Sequence, residues 1–102
     1  MVTSDLIIIE VLNALSTHPH GVKRHAAEYF ERVKDLTGFT IIRCSSILFE
    51  QAIRLYLQAS DKSWSLTDCA SFIIMRERNI TEALTFDHHY EQAGFKALLR
   101  IE

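Results

Sequence analysis

Apolar positions in this chain fall into runs spaced at helical intervals and shorter contiguous runs rich in β-branched residues. The first run, Leu6, Ile7, Ile8, Ile9, Val11, Leu12, Ala14 and Leu15, covers most of a helix surface. Thr3 or Ser4 can cap it, and Asp5 suits the positive end of the helix dipole. Three consecutive isoleucines also suit a strand, but length and capping decide for a helix over 4–16. His18-Pro19-His20-Gly21 makes a turn. Val22, Ala26, Tyr29, Phe30, Val33 and Leu36 then recur three or four apart, with Lys23, Arg24, Glu28, Glu31, Arg32 and Lys34 mostly opposite. Residues 22–36 therefore read as an amphipathic helix, ended by Thr37-Gly38.

Phe39–Arg43 is β-branched and aromatic, which predicts a short strand. Ser45 or Ser46 caps a helix running to about Ser60, with Ile47, Leu48, Ala52, Leu55 and Tyr56 facing inward. A polar connection, Asp61-Lys62-Ser63-Trp64, leads to a helix from Ser65 to about Arg78. Asp68 stands three residues in, at a capping-box position, and Asn79 suits a left-handed C-cap. Glu82–Phe86 reads as a strand with Asp87 at its C-terminal end. A short polar turn or helix follows, then a last strand over Phe95–Leu99. Helices alternating with short strands predict an α/β fold with a largely parallel sheet. Working residues in such sheets gather at the carboxyl ends of strands and at adjacent helix starts, where Asp87 and Asp68 stand.

With 102 residues, one proline and three glycines, the chain fits a single domain spanning 1–102, with no linker or repeat. A net charge of −2 argues against a protein that binds nucleic acid mainly by neutralising phosphates. It is compatible with an acidic, metal-holding nuclease site. Cys44 and Cys69 match no zinc spacing and read as buried, reduced thiols. The N-terminal apolar run is interrupted by Asp5, Glu10 and Asn13 and has no basic region before it. It is neither a signal peptide nor a membrane span, so the expectation is a soluble, cytoplasmic protein.

Three acids attract attention as metal ligands: Glu10, Asp68 and Asp87. A carboxylate cluster is the natural site for Mg²⁺ or Mn²⁺, which take oxygen ligands. Each acid also has a plainer reading. Asp68 suits the first turn of a helix, Asp87 suits a turn, and Glu10 can be a solvated helix residue. The local wording shifts this balance. Ser65-Leu66-Thr67-Asp68-Cys69-Ala70-Ser71-Phe72 resembles the S-L-T-D-C-x-S-F run of PIN domains, the fold of VapC-like toxins. Glu82-Ala83-Leu84-Thr85-Phe86-Asp87-His88-His89-Tyr90 and the following Glu91-Gln92-Ala93-Gly94-Phe95 resemble that family's A-L-T-F-D-x-H-F-x-x-A-G-F segment. The opening Val2-Thr3-Ser4-Asp5-Leu6-Ile7-Ile8-Ile9-Glu10 resembles the second-strand and helix segment that carries the family's glutamate.

The resemblance implies a PIN-like, three-layer α/β/α fold with a mostly parallel sheet. It further implies a metal-dependent endoribonuclease in which Glu10, Asp68 and Asp87 converge on Mg²⁺ or Mn²⁺, with Ser65 and Thr67 in support. The partners implied are RNA and a protein antitoxin. The chain departs from the family at Tyr90, where the family often has phenylalanine, and in one larger respect. PIN domains open with a central strand ending in the first catalytic aspartate, and no segment here corresponds to it. Asp5, at the helix start, is not a substitute. The chain thus reads as an N-terminally truncated PIN domain whose open strand edges favour a homodimer. A second reading follows from the same gap: a catalytically impaired remnant acting through dimerisation or antitoxin binding. His18 and His20 lack a third metal ligand. His88 and His89 are read as phosphate-contacting, packed or solvent-facing residues with little part in catalysis. Trp64 is read as closing the core, and Arg76 and Arg78 as pairing with Glu77 and Glu82.

Overall fold

The computed structural model describes residues 1–19, 21–36 and 38–100. His20, of the predicted turn, and Thr37, of the predicted helix stop, lie outside the described residues. The chain divides into two compact units, Met1–Cys44 and Ser45–Glu102.

The first unit is built as strand, two helices, strand: β1 (Val2–Ser4), α1 (Asp5–Leu15), α2 (Val22–Val33) and β2 (Thr40–Ile42). β1 and β2 pair in parallel, with Val2 opposite Thr40 and Ser4 opposite Ile42. Two parallel strands need a crossover, which the helix pair supplies. Ser4 ends the strand and starts the helix at once. It is buried, its backbone is extended, and its Oγ accepts the Ile7 N–H at 3.3 Å. Asp5 has a structural task, since both its carboxylate oxygens accept the Cys44 N–H at 3.1 Å. That bond ties the chain after β2 to the start of α1. Gly21 precedes α2 with φ of 99°, a left-handed conformation in which a side chain would be strained.

The second unit contains α3 (Ser46–Gln58), α4 (Leu66–Glu77), β3 (Glu82–Ala83), α5 (His88–Gln92) and β4 (Lys96–Ala97). Its core is the helix pair α3 and α4, with Leu48 and Ala52 of α3 buried alongside Cys69, Ala70, Ser71, Phe72, Ile74 and Met75 of α4. Phe72 is fully buried and is the hub. The rings of Trp64 and Tyr90 meet it edge-on, each with centroids at 5.0 Å, and Phe95 lies at 5.6 Å. Trp64 therefore closes this core, as its place in the sequence predicts.

Two inward-facing assignments on α3 do not hold. Ile47 is 70% exposed and Tyr56 47% exposed. The packed stripe on α3 is narrow, running through Leu48 and Ala52. Ile47 stands one position, about 100°, off that stripe. Tyr56 is in the last turn, where a ring carrying a polar tip can stay partly in water.

β3 and β4 pair in parallel, Glu82 opposite Lys96 and Ala83 opposite Ala97. The regular pairing is shorter than the predicted strands Glu82–Phe86 and Phe95–Leu99. Backbone bonds nevertheless continue it, from the Leu98 N–H to the Ala83 carbonyl at 2.9 Å and from Leu99 to Thr85 at 3.1 Å. Asn79 takes φ of 56° after α4, and the Ile80 N–H reaches back to the Met75 carbonyl at 2.8 Å, closing the helix as predicted. Among the described residues, no helix is long and apolar enough to cross a membrane.

Candidate active site

The acids of the second unit are placed by helix caps. Ser65 caps α4 with a reciprocal box: its Oγ accepts the Asp68 N–H at 3.0 Å, and Asp68 Oδ2 accepts the Ser65 N–H at 2.9 Å. Asp87 caps α5, its Oδ1 accepting the His89 N–H at 2.9 Å. The turn into that cap is held by the Thr85 Oγ1, which accepts the Asp87 N–H at 3.0 Å. Each carboxylate therefore has one oxygen spent on backbone.

His89 joins the two acids. Its Nδ1 lies 2.9 Å from Asp87 Oδ1 and 3.6 Å from Asp68 Oδ2. Its Nε2 is 2.9 Å from Ser63 Oγ. Only 17% of the His89 side chain and 16% of the Asp68 side chain are exposed. Although it lies close to both carboxylates, Nδ1 is buried and no hydrogen bond to it has suitable geometry. His88, by contrast, is exposed, its Nδ1 3.8 Å from Asp87 Oδ1 and its ring beside that of His89. Asp87, His88 and His89 can bring one ligand atom each within 4.8 Å of one another, close enough to share a cation.

The other sequence-identified residues are placed as follows. Thr67 is half-buried in the first turn of α4, beside the Asp68 cap. Glu10 stands midway along α1 in the first unit, exposed, between Ile9 and Val11, which are exposed as well. His18 is exposed. Arg76 does not pair with Glu77 or Glu82 among the described residues. Its guanidinium donates to the Ala93 carbonyl at 3.4 Å and lies 5.9 Å from the centre of the Phe95 ring. A carbonyl at the C-terminal end of α5 carries partial negative charge and draws the cation there. Cys44 and Cys69 are thiols, not halves of a disulfide. Burial first, and then the neighbouring Asp68 charge, raises the Cys69 thiol above its ordinary range.

His89 was read from the sequence as having little part in catalysis and Ser63 was not singled out, yet His89 stands beside both acids and Ser63 against its ring. The signal for His89 was present: an aspartate capping a helix accepts from the residue two positions on, so D-x-H places the histidine beside the carboxylate. Nothing local in the sequence announces Ser63, which is 26 residues from His89.

No protein-family model matches this chain, and no curated protein matches it. A solved structure does: the Mycobacterium tuberculosis toxin VapC20, described as cleaving the sarcin-ricin loop. The two share 26% identity and a TM-score of 0.79, over 92% of this chain and 70% of that one. Parallel strand pairs bridged by helices agree with that likeness, and the chain has the VapC-like PIN fold.

Proposed function

We propose that this chain is a metal-dependent endoribonuclease of the PIN/VapC toxin type, with Asp68 and Asp87 as ligands of Mg²⁺ or Mn²⁺. One observation carries the reading: both longest motifs deliver a half-buried carboxylate to the same imidazole. A cation suits Asp87 and His89, whose ligand atoms with one from His88 lie within 4.8 Å of one another, and Asp68 stands beside the same imidazole. The oxygens nearest Nδ1, Asp68 Oδ2 and Asp87 Oδ1, also hold the caps but keep a second lone pair for a ligand, and the buried nitrogen beside them has no hydrogen bond. Isolated charges in such a place are costly unless something compensates them. When bound, the ion supplies positive charge to a phosphoryl oxygen and helps water act as a nucleophile. The chain's own part is positioning. The Ser65 N–H orients Asp68, the His89 N–H orients Asp87, and the Thr67 hydroxyl is available in the same turn.

The substrate class is RNA and the partner a protein antitoxin in the cytoplasm, as the resemblance of the two long motifs to PIN toxins implies. A homodimer is supported by Leu84 and Phe86, 63% and 70% exposed, beside a β3 strand that among the described residues pairs with β4 alone. Those same side chains favour a second reading, in which the chain works by protein association without cleaving RNA.

The test is cleavage of a structured RNA by the full chain with Mn²⁺, with EDTA and Asp68→Asn as controls. Cleavage abolished by both controls is the expected result. A folded chain that leaves the RNA intact at saturating Mn²⁺ selects the second reading.

A further inference from the structure

The arrangement around His89 reaches further than a carboxylate site. Adjacent ligands of a six-coordinate ion with bonds of about 2.1 Å lie about 3.0 Å apart. The Nδ1 separations from Asp87 Oδ1 and Asp68 Oδ2, 2.9 and 3.6 Å, bracket that spacing. At 2.9 Å a hydrogen bond to the carboxylate would be expected, yet the ring is not aimed along one. Two electron-rich atoms held this close, without a proton in line, call for a shared positive charge beside both. Ser63 completes the pattern. Metal-ligating histidines donate their other ring N–H to a neighbour, which fixes the tautomer and aims the ligating nitrogen. Ser63 Oγ at 2.9 Å from Nε2 is placed to accept that N–H, leaving the Nδ1 lone pair toward the acids.

Resting on the metal-site reading above, we infer that His89 is itself a metal ligand through Nδ1, so that the site is a mixed nitrogen and oxygen site that selects Mn²⁺ over Mg²⁺. Mg²⁺ favours oxygen ligands and keeps its waters, whereas imidazole suits transition ions. His88 shares the cluster but is exposed and farther from Asp87, and it is not assigned to the ion.

Pulsed electron paramagnetic resonance on the full chain loaded with Mn²⁺ tests this without relying on activity. A directly bonded histidine gives a ¹⁴N coupling, replaced by a ¹⁵N coupling when histidine is isotope-labelled. The coupling is expected in the parent and in His88→Ala, and absent in His89→Ala. Mn²⁺ affinity is expected to fall roughly tenfold or more in His89→Ala and to weaken roughly tenfold in Ser63→Ala, which keeps the ring but loosens it. Mg²⁺ affinity, measured by competition, is expected to change little, so the preference for Mn²⁺ collapses. Mn²⁺ bound to the parent without nitrogen coupling overturns the inference and leaves the carboxylate site standing. A coupling that survives in His89→Ala and disappears in His88→Ala overturns it as well. No Mn²⁺ binding by the parent overturns the metal-site reading together with this one. The parent spectrum alone decides whether a histidine is bonded to the ion, and the exposed His88→Ala variant assigns the coupling even if His89→Ala fails to fold.

Discussion

At the scale of single residues, Asp68 serves the fold and the site together. Its Oδ2 belongs to the capping box of α4 and also faces the His89 imidazole at 3.6 Å. Asparagine keeps an acceptor for the Ser65 N–H, so Asp68→Asn is expected to cost less than about 1 kcal/mol of stability while removing the ligand charge. Ser65→Ala, which deletes the cap, is expected to cost about 1 kcal/mol in urea denaturation. Cys69 makes a separate prediction. Its thiol is neutral when protonated, and its folded pKa is raised above the ordinary 9.0 by burial and by Asp68. The folded state therefore holds the proton more tightly than the unfolded state, and this contribution is complete below that ordinary value. It is lost as pH rises above it through the folded pKa. Urea midpoints are expected to fall in that alkaline range, and Cys69→Ala is expected to flatten the fall. The sequence disclosed the capping box because S-x-x-D is a local signal. It did not disclose His89, because the ring's direction depends on Ser63, far away in the chain.

At the scale of elements, the helices were the readable part. Ser4, Ser45 and Ser65 each accept an N–H at the start of the helix they were expected to begin, and Asn79 takes the left-handed backbone expected after α4. Capping is local chemistry and survives any arrangement of neighbours. Strand extent is not local. Glu82–Phe86 has the composition of a five-residue strand, but regular pairing covers Glu82–Ala83, because a ladder extends only where a partner runs beside it. The inward assignments of Ile47 and Tyr56 failed for the same reason: helical spacing gives a face but not the width of the surface that covers it. Two element-level predictions follow from packing and backbone. Phe72→Ala removes the hub against which Trp64, Tyr90 and Phe95 pack, and is expected to cost about 3–5 kcal/mol by denaturant unfolding. Gly94, between α5 and β4, has φ of 96° with open space around it, so Gly94→Ala meets backbone strain alone. A loss of about 1–2 kcal/mol is expected.

At the scale of the whole molecule, each unit repeats one rule: two parallel strands joined by a helical crossover. Among the described residues, β1 and β3 each pair on one side only. Open strand edges and exposed apolar side chains promote association, so sedimentation of the parent chain is expected to depend on concentration. Replacing Leu84 and Phe86 by serine is expected to shift it toward the monomer, and an unchanged profile would locate the contact elsewhere. A net charge of −2 adds a constraint on RNA binding. Without a cation at Asp68 and Asp87, affinity for phosphates is expected to be weak, because little positive charge is left to attract them.

The most direct test of the central claim is the rate of RNA cleavage at saturating Mn²⁺, parent against Asp87→Asn. Losing a metal ligand should cost more than losing a residue that merely supports one, so a fall of at least roughly 100-fold is predicted. Asp87→Asn cleaving as fast as an active parent would contradict the assignment of the site to these carboxylates.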